Sequence, residues 1–201
     1  MEKMHNHVLK IEGGNWLFPV FNVPGTAPYK WKGAADLQAQ AYAELKYDVI
    51  NVGHTDLSFG LPYLDSLHKT LNLPLISTNI TDGNGDLVFA PYKMLRSNNL
   101  NIAVMGITHL LGEHAAHFSL DKIDESIRKQ LPKIRKQADI IILLADVPDI
   151  IMEDIAKSFH EIDFILNSRL RIRAQVPRRT GSNALYVSLG NEGQYLGILN
   201  I

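Results

Sequence analysis

The chain has 201 residues, 46% of them apolar and 20% charged, with a formal net charge of -1 and no cysteine. That length and apolar content suit one globular domain with a sizeable core and exclude a disordered chain. The near-neutral charge gives no global pull toward nucleic acid or anionic membrane, and the absence of cysteine excludes disulfides, Cys-ligated zinc and thiol catalysis.

Residues 8–11 read as a short strand stopped by Gly13 and Gly14, followed by a loop over 18–31. The spacing of Ala35, Leu37, Ala41 and Leu45 predicts a helix over 33–46 with those residues on its core face. A strand over 48–52, a helix over 61–71 (Leu61, Leu64, Leu67, His68 and Leu71 on one side) and a strand over 75–79 follow. Asp82-Gly83-Asn84-Gly85 is a turn, and 87–95 with 100–107 form a hairpin. Ser119 to Asp121 cap a helix running to Gln137, which Pro132 should kink or restart. The apolar run 139–144 is a central strand covered on both faces. A helix over 149–159, a strand over 162–166, and a final pair, 184–189 with 195–201, complete the chain. No linker or repeat divides it, so residues 1–201 read as a single α/β domain. No apolar run reaches the length of a membrane span, and no charged start precedes an apolar signal core. Met1 to His7 read as a tag remnant or a trimmed start, and the chain as soluble.

The most informative segment is Asn51-Val52-Gly53-His54-Thr55-Asp56-Leu57-Ser58-Phe59-Gly60, at the end of an apolar strand where α/β proteins present ligands. It resembles the Gly-Asn-His-Glu-Phe-Asp-Tyr-Gly signature of the calcineurin-like metallophosphoesterase superfamily, in its 5′-nucleotidase branch. The resemblance spans nearly the whole chain. Ile11 to Asn15 look like the family's Asp-Ala-Gly-Asp block, residues 75–80 its Leu-Leu-Ser-Ala-Asn-Val strand, and 87–107 its hairpin. Leu143 to Asp146 stand at its Leu-Leu-Ser-His, residues 162–171 at its Ile-Asp-Val-Ile-Ile-Gly-Gly-His-Thr-His, and Gly193, Tyr195 and Gly197 match its close. The resemblance implies a four-layer α-β-β-α sandwich, whose opening Asp-x-His strand is missing here.

Within that frame the ligands differ. Asn15 stands for the acid that bridges two metals, His54 for the Asn, Thr55 for the His, Asp146 for a metal-binding His, and Arg169 and Arg171 for two more. A dinuclear site needs neutral His and anionic carboxylates converging on two cations. Arg cannot give up its proton and repels a cation. Only His54, Asp56 and Asp146 keep ligand capacity, so a divalent metal (Mn, Zn or Mg) is expected only if the site is rearranged around those three. His54 and Asp56 are then the candidate catalytic acid/base pair. The plainer reading has His54 capping a loop and Asp56 capping the helix that starts near Leu57.

Three further clusters carry more than one reading each. His109, His114 and His117 could bind zinc or copper, or be exposed loop residues. Arg169, Arg171 and Arg173 alternate along the chain and, with Asn15, form a candidate anion site for phosphate or nucleotide, Arg178 and Arg179 following; the alternatives are a solvated segment, or one Arg pairing internally with Asp56 or Asp146 and filling the vacant metal space with a salt bridge. Nucleic acid is not expected, because no aromatics are interleaved with the run. Trp16, Phe18, Phe21, Tyr29 and Trp31 could stack a base or cover a partner, or simply pack a long loop.

The expected function is that of a degenerate metallophosphoesterase-like domain, non-catalytic or weakly active, that binds an anionic small molecule or a protein partner. The alternatives are a working hydrolase with a rearranged metal site and a structural module of a larger exported protein. The missing opening strand should leave the edge beside residues 8–11 to be covered by the N-terminal tail, a loop or a neighbouring subunit, so a homo-oligomer through that edge is a candidate. The resemblance leans toward an exported or periplasmic location.

Overall fold

The computed structural model describes residues 8–20, 28–109, 118–169, 177–179, 184–188, 190 and 196–200. Two sheets dominate. Strands β1 (Ile11–Glu12), β2 (Val49–Asn51) and β3 (Leu75–Ile76) form a parallel sheet in that order, with helix α1 (Pro28–Leu45) between β1 and β2 in sequence and α2 (Leu61–Leu71) between β2 and β3. A two-stranded ribbon pairs β4 (Ile80–Thr81) with β7 (Ser119–Leu120). The larger sheet uses β5 (Tyr92–Ser97), β6 (Leu100–Thr108), β8 (Ile140–Asp146), β9 (Phe164–Asn167), β10 (Arg178–Arg179) and β11 (Leu185–Val187). Its order is β10-β11-β9-β8-β6-β5, parallel in the middle and antiparallel at both edges.

The sheets stack face to face. Val49 and Ile76 from the smaller sheet meet Ile102, Val104, Ile142 and Leu144 from the larger one in a shared core cluster. On the outer face of the larger sheet, Ile141, Leu143 and Ala145 pack with Ile127, Leu131 and Ile134 of α3 (Ile123–Arg135) and Met152 and Ile155 of α4 (Asp149–Ser158). Alternate residues of β8 thus serve two cores, which is why that strand reads as an unbroken apolar run. On the other side, Ala35 and Ala39 of α1 and Leu61 and Leu64 of α2 cover the smaller sheet. Helix, sheet, sheet, helix is the four-layer α-β-β-α sandwich that the sequence implied.

Four expectations need correction. Helix α1 starts at Pro28, whose fixed φ suits a first helical position, and so takes in part of the expected loop. Its core face is Trp31, Ala35, Ala39 and Tyr42, while Leu37 is 70% and Leu45 53% exposed. Small alanines let the helix approach the sheet, and flanking aromatics fill the rim, a stripe that counting leucines misses. Ser119 and Leu120 lie in β7 and cap nothing; α3 begins after Lys122, without a side-chain cap, and runs through Pro132 unbroken. The lost N–H is offset by the packing of Ile127, Leu131 and Ile134. The hairpin's first arm begins at Tyr92, since Leu87 and Ala90 instead bridge to Thr81 and Ile76. Finally, β11 pairs with β9 and β10 and not with the C-terminal segment, whose residues 196–200 are exposed and outside any strand.

Strand β1 is an edge: among the described residues no strand pairs with its side away from β2. No helix among them is long and apolar enough to cross a membrane.

Candidate functional site

The carboxyl ends of β1, β2, β6, β8 and β9 point the same way, and the loops leaving them meet, as open α/β folds arrange their binding crevices. Asn51 ends β2 wholly buried. Its amide nitrogen donates to the Gly13 carbonyl at 3.0 Å and the Ile107 carbonyl at 3.2 Å, tying the smaller sheet to the larger. The approach is so close that a Cβ on Gly106 would lie 2.2 Å from Asn51 Oδ1, so only glycine fits there.

Beyond β2, residues Thr55–Leu57 form a single 3₁₀ turn that holds Asp56, which has no exposed surface. Asp56 does not cap α2. Its Oδ2 accepts the backbone N–H groups of Gly53 at 2.8 Å and Asn15 at 2.9 Å, and Oδ1 that of Leu17 at 2.8 Å. Burial raises its pKa to about 8, against the downward pull of those three donors. The carboxylate is a clasp between the β1 and β2 loops. A Cβ on Gly53 would sit 2.3 Å from the Asn15 backbone nitrogen, so the clasp also requires glycine there.

Asn15 sits in the left-handed region, φ 63°, a conformation Asn tolerates. Its Oδ1 accepts from the Thr55 backbone N–H at 3.0 Å, and its Nδ2 donates to Asp146 Oδ1 at 2.8 Å. An aspartate at 15 could accept from Thr55 but could not donate to Asp146. Asn15 is therefore matched to a carboxylate neighbour.

Asp146, the last residue of β8, is the centre of the site and has no exposed surface. Its Oδ2 takes the His54 backbone N–H and lies 2.8 Å from His54 Nδ1. Arg169, just past β9 and only 15% exposed, reaches it with both arms of its fork: Nε to Oδ1 at 2.9 Å and Nη2 to Oδ2 at 3.2 Å. The same Nη2 donates to the His109 carbonyl. Burial pushes the Asp146 pKa up, but the bonds and charges of His54 and Arg169 outweigh it and hold the carboxyl well below the ordinary range. Burial, then the Arg169 charge, lower the His109 pKa and favour its neutral form.

His54, Asp146, Asn15 and Arg169 are brought into direct contact, with Asp56 behind Asn15. Arg171 and Arg173 lie outside the described residues, as do His114, His117 and Phe21. Arg178 and Arg179 are exposed on edge strand β10. Trp16 and Phe18 pack inside, Trp16 stacking on Tyr42 and Phe18 on Phe59, while Tyr29 is exposed. The sequence reading missed three participants: Thr55 through its N–H, Ser168 beside Asn15, and the His109 carbonyl. Backbone groups carry no side-chain signature. Ser168, however, directly precedes Arg169 in the block that marked the site.

The donor set does not suit a dinuclear metal centre. Both Asp146 oxygens are committed to donors, one of them a fixed cation, and Asp56 is committed to three backbone N–H groups. Among the described residues, no group of three or more His, Cys, Asp or Glu side chains could hold a metal ion.

No protein-family model matches the chain. It is 28% identical over 145 residues to YunD of Bacillus subtilis, an uncharacterized metallophosphoesterase, covering 69% of this chain and 31% of that one. Its fold superposes on the Thermus thermophilus sulfate thiohydrolase SoxB with a TM-score of 0.75 at 18% identity, covering 90% of this chain and 33% of SoxB. It also matches the Haemophilus influenzae NAD nucleotidase NadN, TM-score 0.72 at 15% identity, over 94% of this chain and 37% of NadN. The fold is that of the calcineurin-like metallophosphoesterases, 5′-nucleotidase branch. The metallophosphoesterase fold already carries different chemistries in these relatives, a thiohydrolase and a nucleotidase, so the site must decide this chain's own. The chain spans less than a third of the length of the curated relatives it matches.

Proposed function

We propose that residues 1–201 are one degenerate metallophosphoesterase-like domain that no longer hydrolyses phosphoesters and serves to bind another molecule. One observation carries the reading: the guanidinium of Arg169 occupies both oxygens of Asp146, the carboxylate at the centre of the strand-end crevice. The rival, a hydrolase with a metal on His54, Asp56 and Asp146, requires that pair to open first. Hydrolysis of p-nitrophenyl phosphate and nucleotides with added Mn²⁺, Zn²⁺ or Mg²⁺ tests the choice. The expected result is no metal-dependent turnover. Turnover of about 1 per second or more, abolished by Asp146→Ala, favours the rival.

The partner we favour is a second copy docking on edge β1. The larger sheet's edge strands carry Lys93 and Arg96 on β5 and Arg178 and Arg179 on β10, charges that discourage strand addition. On and just before β1, Ile11 and Leu9 are only partly buried against the inter-sheet core. Leu196, Ile198 and Leu199 are apolar and 43–72% exposed in the C-terminal segment, which supplies a strand-sized apolar stretch to lay there. The mass in solution should be that of a dimer, reverting to monomer in Ile11→Lys or Leu196→Asp/Ile198→Asp. A monomeric parent chain contradicts this.

A second reading is an anion site for phosphate or a nucleotide built on Arg171 and Arg173, supported by the exposed Arg178 and Arg179 nearby in sequence. Titration with phosphate or AMP, repeated on Arg171→Ala/Arg173→Ala, tests it; binding that survives the double substitution contradicts it.

A further inference from the structure

Asp146 is a carboxylate with no exposed surface at the end of the central strand. Such a group is tolerated only with hydrogen-bond donors and a compensating charge. Asn15 Nδ2, the His54 backbone N–H and the His54 imidazole, 2.8 Å away through Nδ1, face it, but none of these is a permanent cation. Arg169 supplies the permanent charge, because guanidinium cannot lose its proton. It also lies against a third oxygen, the His109 carbonyl. The guanidinium is thus wrapped by oxygen acceptors from β8 and from the loop after β6.

We propose that Arg169 is a tethered substitute for a bound cation, and that truncating it uncovers a space that takes a free guanidinium ion on the Asp146 and His109 oxygens. Asp56 is served separately, by three backbone N–H groups. The inference rests on the reading that metal chemistry has left this site, yet it fails separately. Phosphoester turnover by the parent chain would remove that reading, whereas an uncompensated Arg169 variant would remove this inference from an inactive chain.

The test is cation rescue. Arg169→Ala should lower the melting temperature by on the order of 10 °C. Millimolar guanidinium should restore most of that loss, while tetramethylammonium, which has no N–H to donate, and Mn²⁺, which the remaining donor set does not suit, should not. The parent chain should respond to none of them. If Arg169→Ala does not fold, Arg169→Met and Asp146→Asn/Arg169→Met are compared. The double variant should be the more stable, because neutralising the stranded carboxylate removes the need for a cation. An Arg169 variant as stable as the parent, one that answers to no cation, or a double variant no better than the single would each overturn the proposal.

Discussion

Two regions of this molecule treat their polar groups in opposite ways. At the strand-end crevice, Asp56 and Asp146 use every oxygen, and the loops after β1, β2, β6 and β9 are laced to them. At edge β1, a strand faces outward unpaired among the described residues, flanked by partly buried Leu9 and Ile11. In an active α/β enzyme one expects the reverse, an under-satisfied crevice poised for substrate and a well-protected sheet edge. The contrast is what the proposed reading requires: a crevice with its two carboxylates committed and an edge open to a partner.

Asp56→Ala strands three buried backbone N–H groups, each costing about 1–3 kcal/mol, so a loss of ~3 kcal/mol in a denaturant titration is the least expected. A smaller loss would mean that the clasp is not a principal tie between the loops. Gly53→Ala comes next. Its Cβ would collide with the Asn15 backbone, and overpacking of this kind costs about 1–3 kcal/mol; a neutral effect would show that the loop yields freely. At the edge, Leu196→Asp/Ile198→Asp, both exposed positions, should change stability by less than about 1 kcal/mol at high dilution while abolishing association, a split between folding and assembly that the crevice variants should not show.

The pH dependence separates the two carboxylates. Asp146 titrates below its unfolded value of 3.8, so its stabilisation is complete above that value and is lost as pH falls further. Asp56 has the opposite sign. Its pKa is raised to about 8, so the native state keeps a proton that the unfolded chain releases, and stability declines as pH rises from 3.8 through about 8. The melting profile of Asp56→Asn, set against the parent, should lack that decline. A parallel profile would show that the carboxyl is ionised throughout, held so by its three N–H donors.

The layers of the fold were legible because β8 alternates between two cores and α2 shows an unbroken leucine stripe. The stripe of α1 was not, because its core face is alanine and aromatic while two of its leucines point to solvent. Strand partners were read less well than strands. Ser119 and Leu120 look like a helix cap until Ile80 and Thr81 arrive from far along the chain to pair with them. Within the site, the departure of Asn15, Asp146 and Arg169 from the motif they resemble was visible residue by residue. What these residues do to one another was legible only as a choice between an anion pocket and an internal Arg–Asp pair. Whether Arg169 faces solvent to catch an anion or turns inward depends on Asp146, 23 residues away in sequence and reached only through the sheet.

On the proposed reading, the Arg169 guanidinium stands where a metal ion's charge would otherwise be needed. Dialysis of the purified chain against Mn²⁺ and Zn²⁺, followed by elemental analysis, tests this. No metal should be retained above background, in the parent and in Asp146→Ala alike. Stoichiometric metal in the parent that disappears in Asp146→Ala would contradict it.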